Sequence, residues 1–100
     1  MSLCNVTRLG DLNSGHGHCY TPSPLVTASP NVYINGIPCG REGDHYETHG
    51  GCFVHNPDTD YLISQHNVLV NGKSIAAVGD LTDNGSTAAE GSPNVFLVRR

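Results

Sequence analysis

Three copies of one short pattern run through this chain, and a chain that repeats itself must pack copy against copy. Gly-Asp occurs at Gly10-Asp11, Gly43-Asp44 and Gly79-Asp80. Asn-Val followed by apolar residues occurs at Asn31-Val32-Tyr33-Ile34, at Asn67-Val68-Leu69-Val70 and at Asn94-Val95-Phe96-Leu97-Val98. Asn-Gly closes the first two of these runs, at Asn35-Gly36 and Asn71-Gly72, each time seven residues before the glycine of the next Gly-Asp.

Asn-Gly between β-forming runs favours a type I′ turn, whose two central residues both need positive φ. The pattern therefore predicts one hairpin from Val32 to Ile34 and Ile37 to Arg41, and a second from Val68 to Val70 and Lys73 to Val78. The third unit is expected to stop after its first arm, at Val98, where the chain ends. Ser29-Pro30 and Ser92-Pro93 enter the first and third arms where proline starts a strand without losing a ladder bond. No segment carries the period of a long amphipathic helix, and Thr87 to Gly91 has room for at most one turn. The expected class is all-β, built from short hairpins in one domain spanning 1–100, with units near 8–43, 41–79 and 78–100.

Isolated hairpins are marginal in water, so the units are expected to bury a core together around a common axis. That core must be thin. Hydrophobic residues make up 37% of the 100 residues, there is no Trp, and Gly occurs 12 times. A chain this size buries only roughly 60–65% of its unfolded surface, so a metal or a tight partner would help it.

Charged residues are scarce at 14%, the net charge is −4, and Arg8, Arg41 and Lys73 are scattered away from the Arg99-Arg100 pair. This argues against a nucleic-acid binder, which carries a basic stripe. No apolar run approaches the roughly 20 residues a membrane-spanning helix needs. Met1 to Arg8 shows no basic region followed by an apolar stretch, so synthesis in a reducing cytosol is expected. There Cys4, Cys19, Cys39 and Cys52 read as ligands or packed thiols rather than disulfides. His16, His18, His45, His49, His55 and His66 shift the balance toward metal.

These residues make the chain resemble the PAAR-repeat family. The first unit carries Arg8-Leu9-Gly10-Asp11, Ser14-Gly15-His16-Gly17 and Ser29-Pro30-Asn31-Val32. Asn35-Gly36-Ile37-Pro38-Cys39-Gly40-Arg41 then stands where that family has Pro-Ala-Ala-Arg. The second unit reads Asn71-Gly72-Lys73-Ser74-Ile75-Ala76-Ala77-Val78-Gly79-Asp80, and the third holds Glu90-Gly91-Ser92-Pro93-Asn94-Val95-Phe96. The resemblance implies a small pseudo-threefold cone with a structural zinc near its point. Its base would sit on a trimeric β-helical spike of a type VI secretion system or a contractile-tailed phage. The task would be mechanical, sharpening a tip that touches the target membrane only transiently. The protein would be made in the bacterial cytoplasm and end in the virion or be exported by type VI secretion.

The candidate metal loops follow the Gly-Asp pairs. His16 lies five residues after Asp11 and His49 five after Asp44, in register, and three units about an axis would bring such positions together. The family's set of three histidines and one cysteine adds His55 and, as the preferred thiolate, Cys52. Cys19, His45 and His18 are the alternatives for the fourth position, since the third loop has Asn84 where relatives often carry cysteine. Zinc is expected, with iron as the alternative, because the donor set suits both. Four protein ligands would leave no open position and make the metal structural.

Asp11, Asp44 and Asp80 are expected to bond loop N–H groups rather than to act in catalysis. Cys39 reads as a small buried residue, Cys4 as a free thiol, His66 as a solvated side chain, and His18 likewise if not a ligand. The base is expected to expose Val32, Ile34, Val95 and Leu97. Two other functions stay on the table: a small zinc-dependent hydrolase or metal-binding domain, and a disulfide-stabilised secreted binding domain. The hydrolase lacks a His-Glu-x-x-His helix and a Gly-x-Ser-x-Gly elbow.

Overall fold

The computed structural model describes residues 2–16, 21–48 and 59–99. Among them there is no helix, and all regular structure is short and antiparallel: β1 Ser2–Asn5, β2 Tyr33–Ile34, β3 Ile37–Pro38, β4 Leu62–Ile63, β5 Leu69–Val70, β6 Lys73–Ser74, β7 Leu81–Thr82 and β8 Phe96–Arg99. The two expected turns are present. Asn35 and Gly36 have φ of 55° and 76°, Asn71 and Gly72 of 56° and 78°, joining β2 to β3 and β5 to β6. Asparagine tolerates this left-handed region and glycine enters it freely, which is why the sequence places them there.

The third unit differs from expectation. Its arm β8 runs to Arg99 and pairs with β1, Cys4 opposite Leu97 and Asn5 opposite Phe96. The register matches the other hairpins, where Tyr33 faces Pro38 and Leu69 faces Ser74. The N-terminal strand is thus the missing second arm, and the third hairpin is closed without a turn. The same bond recurs just beyond each: Cys39 N–H to Val32 C=O (2.9 Å), Ile75 to Val68 (2.8 Å) and Val6 to Val95 (3.0 Å).

The hairpins are shorter than the sequence suggests because the outgoing arms change partners. Single bridges join Arg8 to Cys39, Arg41 to Ile75 and Ala77 to Val6, so three segments close a ring. A second ring follows further along each unit: Leu25 bridges Tyr46, Leu62 pairs with Thr82 in β4–β7, and Ala88 bridges Asn13. Each ring has its own apolar cluster. Val6, Cys39 and Ile75 occupy equivalent places in the first, with Val70, Ala77 and Leu97 around them. Leu25, Leu62 and Ala88 do so in the second, with Tyr46 and Ala76. Cys39 is fully buried, as expected of a small residue standing where the other units have Val and Ile.

The Gly-Asp pairs form the corners between rings. In each, the aspartate accepts a bond from the backbone N–H three residues upstream: Arg8 to Asp11 (2.8 Å), Arg41 to Asp44 (2.8 Å) and Ala77 to Asp80 (2.9 Å). The return bond runs from the aspartate N–H to the same residue's C=O at 3.0 Å in all three. Gly10, Gly43 and Gly79 turn the chain with φ between 84° and 97°. The expected role of the aspartates as loop-binding groups is therefore met.

Candidate functional site

Beyond the second ring the interior turns polar. Asn13, Tyr46 and Thr82 each donate a backbone bond to Ser23, Asp60 and Ser86 respectively (3.0, 2.9 and 2.9 Å), and all six residues are buried. The chain leaves this layer in three loops, after Asn13, after Tyr46 and after Thr82. Their described ends are tied together: the Ser14 and Ser86 hydroxyls stand 3.2 Å apart, Asn84 Nδ2 donates to Thr59 C=O (2.7 Å), and the Thr48 and Thr59 hydroxyls are bonded. The described ends of the loops after the Gly-Asp pairs thus lie side by side.

Asp60 is the unusual member of this layer. It is fully buried, and Asn13 Nδ2 donates to its Oδ2 at 3.0 Å. Its Oδ1 accepts no hydrogen bond, although His16 Nε2 stands 3.3 Å away. A buried carboxylate oxygen without a donor is costly, since nothing replaces the water it lost. The Tyr46 hydroxyl is buried here as well without a hydrogen-bond partner. Burial, with the charges of Asp11, Asp80 and Asp60 adding, pushes its ionisation well above the usual phenol range.

Of the four metal candidates read from the sequence, His16 lies in this layer, its side chain 17% exposed. His49, Cys52 and His55 lie outside the described residues, as do His18 and Cys19. His45 is described, and its ring packs against Tyr61 with centroids 5.3 Å apart. Among the described residues no group of three or more His, Cys, Asp or Glu is gathered as a metal would need. Sequence reading passed over Asp60. Its only signal is a carboxylate five residues beyond the histidine-rich stretch 45–55.

His66 corrects another expectation. It is not solvated: its Nε2 lies 2.8 and 3.1 Å from the Asp80 oxygens. Arg99 and Ser64 also donate to Asp80, each at 2.8 Å.

The opposite end is apolar. Leu97 is buried in the first cluster, and Val32, Ile34 and Val95 are half-buried against it, so these residues expose less than expected. Their strand neighbours are instead among the exposed apolar side chains. Tyr33, Leu69 and Phe96 hold the same place in the three hairpins and are 56%, 64% and 48% exposed. Alternation along a strand requires this: turning Ile34, Val70 and Leu97 inward turns the preceding residue out. A scan against protein-family models and a search of curated proteins found no match to this chain.

Proposed function

We propose that this protein is a pseudo-threefold, cone-shaped PAAR-repeat tip that caps the trimeric β-helical spike of a contractile injection machine, and that it is not an enzyme. The observation that carries this reading is the recurrence of one exposed apolar side chain at Tyr33, Leu69 and Phe96. A trimeric partner presents every contact three times. A single chain matches that surface only by carrying three near-equivalent contacts itself, and an internally threefold chain does so without assembling. Large apolar side chains left in water at three matching positions suit such a contact.

A structural metal at the loop end fits the same reading. His16 Nε2 and the unbonded oxygen of Asp60 are an imidazole and a carboxylate facing each other, a donor pair suited to zinc and also to iron. His16 would hold the ion with His49, His55 and Cys52, the three taken from the sequence alone. The bound ion would supply rigidity and folding free energy rather than reactivity. The fold would then be stiff at the end that meets a target membrane.

The test is a pull-down with a purified trimeric β-helical spike. Wild-type chain is expected to bind, and the triple substitution Tyr33→Asp, Leu69→Asp, Phe96→Asp to abolish binding while the circular dichroism spectrum stays unchanged. A wild-type chain that does not bind sinks the spike-tip reading.

A further inference from the structure

We infer that Asp60 is itself a metal ligand, sharing one ion with His16. The inference rests on the reading that the loop end holds a metal, and gives Asp60 one of the four positions otherwise assigned to His49, His55 or Cys52. The two histidine–aspartate pairs of this molecule make the case. At Asp80 the His66 ring nitrogen sits 2.8 Å from a carboxylate oxygen in hydrogen-bonding geometry, the ordinary outcome when these groups meet. At Asp60 the His16 ring nitrogen stands 3.3 Å from Oδ1, and Oδ1 accepts no hydrogen bond. Two donors bound to one tetrahedral ion, each at a bond length of ~2.0–2.1 Å, stand roughly 3.3–3.4 Å apart. The His16–Asp60 separation is that of a coordination edge, and the two groups meet without the geometry of an N–H···O bond.

The surroundings of Asp60 agree. Its side chain is fully buried, which a carboxylate tolerates only against a positive charge or several donors. Asn13 Nδ2 satisfies Oδ2 and also fixes the plane of the carboxylate, as the outer partners of ligating carboxylates do. Asn13 is held in turn, because its Oδ1 accepts from the N–H groups of Ser23 (2.9 Å) and Gly15 (3.1 Å). One oxygen is thus satisfied and oriented, and the other is turned to a ring nitrogen with its lone pairs unused. Asp60 sits in the wall of the second ring, where Ser23 and Ser86 hold the equivalent places. The carboxylate occurs in one unit of three, so it is no requirement of the repeat.

The experiment loads wild-type chain, Asp60→Asn and Asp60→Cys with cobalt(II) and with zinc. Asp60→Asn keeps the acceptor for Asn13 and is expected to bind at least ~100-fold more weakly, a larger loss than outer-sphere changes cause. Asp60→Cys is expected to strengthen thiolate-to-cobalt charge-transfer absorption beyond that of wild type. In wild type, the zinc-minus-apo infrared difference spectrum should show a shifted carboxylate band, a readout that holds even if neither variant folds. Wild-type chain that binds metal with no carboxylate shift overturns the role of Asp60 and leaves the metal reading standing. Wild-type chain that takes up neither metal overturns both.

Discussion

At the corners Arg8–Asp11 and Arg41–Asp44 the cation comes from the same turn, three residues upstream of the carboxylate. Each guanidinium reaches its aspartate through Nε and a terminal nitrogen, at 3.0 and 3.2 Å in the first and 2.9 and 3.0 Å in the second. At the third corner that place is taken by Ala77, and the carboxylate's side-chain partners include His66 and Arg99, 14 and 19 residues away. Around the first two corners the next asparagine joins in: Arg8 donates to Asn35 and Arg41 to Asn71. Serines fix the same asparagines, Ser92 donating to Asn35 and Ser29 to Asn71. The third junction has neither, because Val98 stands where an asparagine would. What the repeat preserves is a neutralised carboxylate that ties off a backbone N–H, and the identity of the neutralising residue is free to change.

The hardest blow to this comparison is Asp44→Ala. It leaves the Arg41 N–H and guanidinium without their partner in a half-buried corner, and is expected to cost about 3 kcal/mol. Thermal denaturation should show a fall in Tm of roughly 12–24 °C, since each kcal/mol shifts a domain of this size by about 4–8 °C. Bonding to Asp44 also holds the Arg41 guanidinium above its already high ionisation range, so the guanidinium stays charged at any ordinary pH.

A smaller effect separates the corners. Arg41→Ala should cost about 2 kcal/mol, because its side chain is 13% exposed and it is the cation its turn supplies. Arg99→Ala should cost under about 1 kcal/mol: the side chain is 36% exposed, and Ser64 and His66 still hold Asp80. Urea denaturation of the two variants decides it, and equal losses would show that His66 does not share the load.

The smallest change tests whether equivalent positions are interchangeable. Cys39→Val places in one unit the residue found at position 6, and should alter stability at pH 7 by less than about 1 kcal/mol. The alkaline limb is different. Burial, with Asp44 adding, pushes the Cys39 thiol up to about 11. Below the ordinary thiol value of 9.0 the thiol is neutral in both states and its burial costs nothing in ionisation. Above it the unfolded chain ionises first, so stability falls as pH rises from about 9 to about 11. Cys39→Val should flatten this fall in denaturation curves taken across that window, while the part due to Tyr46 remains.

The turns were legible in the sequence because they depend on two adjacent residues: Asn-Gly can take two positive φ angles with little strain, and did so twice. The aspartate bonds were legible for the same reason, their donors lying three residues away. The pairing of β1 with β8 was not. Ser2-Leu3-Cys4-Asn5 shares no residue type in register with its counterparts, and only its spacing from Gly10-Asp11 marks it as an arm. His66 misled because its partner lies 14 residues away, outside any motif. Asp60 was hidden because nothing local tells that a carboxylate between Thr59 and Tyr61 ends fully buried beside a loop from another unit. Local geometry writes itself into neighbouring letters, and burial does not.

The pairing of β1 with β8 has a consequence in time. A ribosome releases residues 2–5 long before residues 96–99, yet among the described residues each is the other's only ladder partner. The first two hairpins can zip during synthesis, because their arms are two residues apart. Until β8 emerges, Val6 and its ring lack one wall, and β1 waits as an unpaired edge. Closure is therefore the least local step, the kind that slows folding and exposes chains to one another. The ring of three closes only once residues 96–99 have left the ribosome.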